Sequence, residues 1–183
     1  MCLEHDEPRG ISRRGVGTML AGAAGLSLLP FAARAGNVDT LCVTCIDYRF
    51  VQKDVTWLNT HLNLDFDNWD VVALAGASLA AIETRVPQNI DAFWNQIVIA
   101  QALHHINKVV LLDHMDCGAY RVAFGNPPPP PLDRPVLSPA DEEARHRSVM
   151  PQVAQKLRSI PYRIGVVECY LMPLQGPPKL IPG

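Results

Sequence analysis

The chain has 183 residues, 48% of them hydrophobic, and 16 Lys and Arg stand against 18 Asp and Glu for a formal net charge of −2. That is one globular domain with some chain to spare, and the balanced charge, without a basic stripe or tail, excludes a nucleic-acid partner. Five cysteines in a chain of this length are not a disulfide framework.

Residues 1–35 read as an export signal. Ser12-Arg13-Arg14 precedes a glycine-rich apolar run from Gly15 to Leu29, and Ala33-Arg34-Ala35 follows. Charged region, apolar region and A-x-A site come in the order a secretory signal requires. The paired arginines point to the twin-arginine type and a periplasmic destination. The run is too short and too glycine-rich to be a good spanning helix. An uncleaved segment would serve as an anchor and bring membrane association. Residues 36–183 are then expected to form a single domain.

Within that domain, Asp39 to Cys45 reads as a first strand. Phe50 to Leu62 places Val51, Val55, Leu58 and Leu62 at helical spacing. Asp67-Asn-Trp-Asp70 is a turn, Val71 to Ala75 a second strand, and the stretch through Thr84 and Pro87 a loop. Ile90 to Ile106 is a helix that Asn89 can cap. Lys108 to Asp113 is a strand rich in valine and leucine, the pattern of a strand buried on both faces. A helix through Ala119 to Phe124 ends at Gly125-Asn126. The proline run Pro127 to Pro131, part of an insertion near 127–135, reads as a spacer or arm. Ser138, Pro139 and Asp141 have the form of an N-cap, an N1 proline and a capping-box acid. The helix they open runs toward Ser159, kinked or interrupted at Pro151. Tyr162 to Tyr170 is a fourth strand, and the proline-rich tail is irregular. This alternation predicts an α/β fold with a central, mostly parallel β-sheet flanked by helices.

Open α/β sheets bind ligands at the carboxyl ends of their strands. His114 and Cys117 stand at one such end and Cys45 at another. Two thiolates and an imidazole suit zinc in a tetrahedron whose fourth corner is open. A metal there lowers the pKa of a bound water toward about 7, which supplies hydroxide at neutral pH. On an extended segment Asp47 and Arg49 share the side of Cys45, where Arg49 can grip the Asp47 carboxylate. The same alternation turns Tyr48 away, into packing. Cys42-Val-Thr-Cys45 as part of a closed site is disfavoured, because strand geometry separates those two residues by about 10 Å. Cys42 and Cys169 are read as core, His61 and His146 as surface residues, and His104 and His105 as structural. Asp113 either orients His114 or caps the next turn, and Asp116 is read as a solvent-facing loop acid. Gly118 can offer a backbone amide to an anion.

Cys45-Ile-Asp47-Tyr-Arg49 with His114-Met-Asp-Cys117-Gly118 resembles the signature of the β-class carbonic anhydrases, Cys-x-Asp-x-Arg followed by His-x-x-Cys-Gly. The resemblance spans roughly Asp39 to Gly125 and includes Ala75-Gly76 after the second strand. It implies zinc held by Cys45, His114 and Cys117, with Asp47 and Arg49 as a catalytic dyad. It also implies reversible hydration of carbon dioxide to bicarbonate, and a homo-oligomer. The chain departs from the pattern at Tyr48 and Leu74, at its short amino-terminal part and at the proline run. Relatives with the same zinc core hydrolyse carbonyl sulfide or carbon disulfide. Leu74 and the residues near Ala77 are expected to give such a pocket a narrower, more apolar wall. A non-catalytic zinc-binding subunit of an envelope complex is the reading from a different class.

Overall fold

The structure is a computed structural model that describes residues 38–62, 68–85, 87–126, 135–161 and 164–183. The expected signal over 1–35 and the proline run 127–131 lie outside the described residues. The elements are β1 (Thr40–Thr44), α1 (Tyr48–His61), β2 (Trp69–Ala73), a 3₁₀ helix (Ala77–Ala81), α2 (Pro87–His104), β3 (Lys108–His114), α3 (Gly118–Phe124), α4 (Pro139–Ser159), β4 (Val166–Met172) and β5 (Lys179–Ile181). The sheet has the order β2-β1-β3-β4-β5. The first four strands are parallel, and β5 alone runs antiparallel to β4. Among the described residues no helix is long and apolar enough to cross a membrane.

Strand alternation sorts the core onto two faces. Leu41, Val43, Val109, Leu111, Val167 and Cys169 meet the 3₁₀ helix, α2 and α4 on one face. Cys42, Val110, Leu112 and Met172 meet Phe50, Trp57 and Leu58 of α1 on the other. Helices therefore cover both faces, as the sequence predicts.

Several expectations shift. In α1 the buried positions are Phe50, Asp54, Trp57 and Leu58, while Val51 faces outward. The apolar pattern hid this stripe because one of its members is a carboxylic acid. β2 begins two residues early, so Trp69 and Asp70 belong to the strand and not to a turn. The stretch after it is helical over Ala77–Ala81, with Gly76 at φ +83° making the bend into that 3₁₀ helix, and is turn and loop through Thr84 as expected. α2 starts at Pro87, so Asn89 lies within its first turn and is not its cap. In α4, Ser138 accepts from the Asp141 amide as expected, and the helix runs unbroken past Pro151. The Ser148 carbonyl, in the turn before that proline, accepts from the Gln152 side-chain amide at 2.8 Å. The tail is not wholly irregular: Gly176 at φ +89° precedes β5, and Ile181 is buried against the sheet. An edge strand tolerates the prolines that flank it. Asn126 and Val136 form an antiparallel bridge, which pins together the two ends of the insertion.

Candidate metal centre

β1 and β3 are neighbouring parallel strands in register Thr44↔Leu112. Cys45 and His114 therefore leave the sheet at the same carboxyl edge. The chain then turns through Asp116, at φ +62°, and Cys117 becomes the N-cap of α3. The ligand atoms of Cys45, His114 and Cys117 all lie within 4.8 Å of one another, and all three residues are buried. Zinc at its usual bond lengths holds such atoms roughly 3.5–3.8 Å apart, so the cluster has the right scale.

The donor chemistry fits as well. His114 Nδ1 donates to the Met115 carbonyl at 2.9 Å, which fixes the tautomer and leaves Nε2 with a free lone pair. That Nε2 is buried and has no hydrogen-bond partner. The imidazole stacks on Phe50 at a centroid distance of 4.1 Å. The Cys45 and Cys117 sulfurs lie within 4.8 Å of one another and act on each other's titration. The hydrogen bond from Cys117 lowers the pKa of Cys45, and the Gly76 amide adds to this at 3.4 Å from its sulfur. The same hydrogen bond, together with burial, raises the pKa of Cys117, against the pull of the Tyr120 and Ala119 amides. A divalent cation would displace the thiol protons and stabilise both thiolates.

Asp47 and Arg49 come together, but not on an extended segment. Asp47 is the N-cap of α1 and accepts from the Arg49 backbone amide at 3.0 Å. The guanidinium grips the same carboxylate through Nε at 3.0 Å and Nη2 at 2.7 Å. This holds the Asp47 pKa at about 2. Asp47 Oδ2 stands 3.9 Å from His114 Nε2, beside the place a metal would take. Because the chain turns helical at this point, Tyr48 does not pack. It is 86% exposed and lines the cavity, contrary to the strand-based expectation.

The cavity measures about 670 Å³ and is open to solvent. Ile46, Tyr48, Ala75, Gly76, Gly118 and Ala119 line it along with Cys45 and Cys117. Leu74 packs against the core and Ala77 is fully buried, but Ala75 and Gly76, next to Ala77, do form part of the expected wall. Asp116 is not a bystander in the loop. It accepts from Arg49 Nη1 at 2.6 Å and pairs with Arg121, so four charges follow one another along the rim.

Asp113 does not orient His114, since consecutive strand residues point to opposite faces. It accepts instead from the Ser78 amide and hydroxyl, the Tyr120 hydroxyl and His146. It thereby ties β3 to the first residues of the 3₁₀ helix, which is neither of the two roles expected of it. His146 is not a surface residue; it is 0% exposed. Glu142, also buried, accepts from the Cys117 amide at 2.6 Å and the Asp116 amide at 3.0 Å. Sequence reasoning missed Ser78, Tyr120 and Glu142. The available signal was that Glu142 and His146 continue the stripe of Val149, Val153 and Leu157 along α4. His61 is exposed, His104 pairs with Asp70 at 2.5 Å, and Cys42 and Cys169 are core, as read.

Solved structures carry the same architecture. One of two tetrameric β-carbonic anhydrases from the filamentous ascomycete Sordaria macrospora superposes with a TM-score of 0.52 at 15% identity, covering 93% of this chain and 95% of that one. A carbonic anhydrase from Streptococcus mutans gives 0.50 at 15% identity, covering 94% and 100%. At this identity the likeness fixes the fold alone. Fold and site together define an α/β protein of the β-carbonic-anhydrase fold with a Cys/His/Cys cluster that can hold a metal. The family described as "Putative carbonic anhydrase" matches residues 36–173, and the chain belongs to it. Uncharacterized proteins of Rickettsia conorii and Rickettsia bellii are 38% and 37% identical over 89 and 85 residues, or 49% and 46% of this chain. The matches cover 47% and 51% of those proteins, so the chain spans about half the length of the curated relatives it matches.

Proposed function

We propose that the chain is a zinc-dependent lyase that interconverts carbon dioxide and bicarbonate. Cys45, His114 and Cys117 are its metal ligands and Asp47 and Arg49 its catalytic dyad. The observation that carries this reading is the convergence of three buried ligand atoms, one of them the unpartnered Nε2 of His114, beside a cavity lined by Asp47. Zinc bound there supplies a Lewis acid that brings the pKa of a water toward about 7. Asp47 stays ionised throughout the neutral range, so it orients the hydrogen of the attacking water and does not store its proton. Arg49 fixes that carboxylate and links it to Asp116. Two thiolates offset the charge of the cation, which leaves the site open to neutral or anionic small molecules.

Hydrolysis of carbonyl sulfide or carbon disulfide at the same ligands is the second reading. Ile46, Tyr48, Ala75 and Ala119 support it, because they give an apolar substrate an apolar approach. Stopped-flow carbon dioxide hydration by zinc-quantified protein, beside Cys45→Ala and Asp47→Asn, separates the readings. We expect near-stoichiometric zinc in the parent protein, loss of zinc and hydration in Cys45→Ala, and retained zinc with hydration down about tenfold or more in Asp47→Asn. Zinc without hydration at any pH from neutral upward would sink the anhydrase reading in favour of the sulfur substrates. Zinc bound with neither hydration nor hydrolysis of the sulfur substrates would favour the non-catalytic zinc-binding subunit, and absence of zinc would sink all three readings.

Residues 1–35 are proposed as a twin-arginine-type signal that delivers a single domain, 36–183, to the periplasm; a retained signal would add membrane association. Arg13-Arg14 and the A-x-A site support this. Recovery of the parent protein at full length from the cytoplasm, or export undiminished by Arg13→Lys with Arg14→Lys, would refute it. Self-association is proposed as well, because Ile46 and Tyr48 are 61% and 86% exposed beside the cavity, apolar surface that a second copy can cover. A monomer by light scattering at micromolar concentration would contradict it.

A further inference from the structure

The Cys117 loop is gripped from behind by a helix that lends no residue to the cavity. Asp116 takes a left-handed conformation at φ +62°, which costs a non-glycine residue about 1 kcal/mol and needs something to hold it. Glu142 of α4 meets both amides that follow the turn, Asp116 N at 3.0 Å and Cys117 N at 2.6 Å, one on each carboxylate oxygen. One turn further along α4, His146 donates through Nδ1 to Asp113 at 2.9 Å, and its Nε2 stands 3.9 Å from Glu142 Oε1. Glu142, His146 and Asp113 are 3%, 0% and 1% exposed. A buried carboxylate is expensive unless it is fully hydrogen-bonded. Two amides could be satisfied by a hydroxyl and a water at lower cost. A carboxyl group is used here, and it lies against the backbone of a metal-ligand candidate. Asp113 immediately precedes His114, so the same three side chains brace the backbone next to two of the three ligands.

We propose that Glu142 is a positioning residue for the metal centre: its carboxylate clamps the Asp116 and Cys117 amides and sets the place and donor strength of the Cys117 sulfur, with His146 and Asp113 tying that clamp to β3. Glu142 acts through Cys117 and touches no substrate. The inference rests on the metal reading of Cys45, His114 and Cys117.

The test is cobalt(II) binding to the metal-free full chain. Affinity is measured by chelator competition, and the thiolate-to-cobalt charge-transfer and ligand-field bands are recorded. Glu142→Gln keeps the size of the side chain but offers one acceptor oxygen in place of two. We expect its cobalt affinity to fall about 10–100-fold, the usual cost of losing a group that orients a ligand. Its charge-transfer band should shift, while the metal-free protein melts close to the parent. Glu143→Gln makes the same change at the neighbouring half-buried residue, which pairs with Arg147; it should match the parent in both readouts. Equal affinity and an unchanged spectrum in Glu142→Gln would overturn the proposal. So would a matching loss in Glu143→Gln, because the effect would then be one of net charge. Should Glu142→Gln fail to fold, Glu142→Asp replaces it: the shorter acid keeps the charge but cannot reach both amides, and the same loss is expected. Failure of both variants to fold would overturn the proposal too, by making Glu142 a determinant of the fold. A parent protein that binds no cobalt at all would sink the metal reading itself, an outcome distinct from the others.

Discussion

Asp54 sits on the buried face of α1, 3% exposed, and its Oδ1 has no hydrogen-bond partner. Burial raises its pKa from 3.8 to about 7, against the pull of His114. The folded chain therefore holds a proton that the unfolded chain has released between pH 4 and 7. Stability linked to this group falls as pH rises through that window and levels off above it. The full displacement corresponds to at most about 4 kcal/mol. Asp54→Asn should accordingly be nearly neutral at pH 4 and stabilising at pH 8, read by urea unfolding at both values. An equal effect at the two pH values would mean that the carboxyl finds solvent or a partner. At this scale the sequence exposed the metal-ligand candidates but not the groups around them. Cys45, His114, Cys117, Asp47 and Arg49 are legible because their chemistry is encoded in short local spacings. Tyr48 was misassigned because the turn from β1 into α1 begins one residue before it.

At the scale of elements, α4 is the informative case. Its start was readable from Ser138 and Pro139, since caps are local chemistry. Of the two outcomes expected at Pro151, the interruption does not occur, because packing of Val149, Met150, Val153 and Leu157 outweighs the missing amide. An interior proline costs a helix about 3 kcal/mol. Pro151→Ala should regain about 1–2 kcal/mol of that, the remainder being offset by a freer unfolded chain. The melting temperature should rise by several degrees. No gain, or a loss, would show that the helix is bent at Pro151 to fit the sheet. β5 escaped the sequence reading because three residues between prolines carry too little periodicity. Its place is set by Cys169, Tyr170 and Leu171 of the strand beside it.

For the whole molecule, a metal bound at the Cys45, His114 and Cys117 cluster would be linked to the fold. The thiol protons held at Cys45 and Cys117 would have to leave when a cation enters. Apparent zinc affinity should therefore rise steeply with pH, by at least about tenfold from pH 6 to pH 8, in chelator competition. Free zinc at 100 times its dissociation constant should add about 2.7 kcal/mol to stability, seen as a higher melting temperature than that of the metal-free chain. Affinity independent of pH would mean that the thiols are not ligands.

Alternating strands and helices, the buried run from Val109 to Leu112 and the two spaced ligand motifs made the parallel sheet and the metal-ligand candidates readable from the sequence alone. Each depends on near neighbours in the chain, through side-chain period and local spacing. The tertiary structure alone decided which polar groups become buried partners. Asp113 meets His146 and Ser78, and Glu142 meets Cys117, across gaps of 33, 35 and 25 residues. Such pairings arise only when α4 and the 3₁₀ helix pack on one face of the sheet. That packing is fixed by volume and by the face each strand residue presents, and no short window of sequence records it.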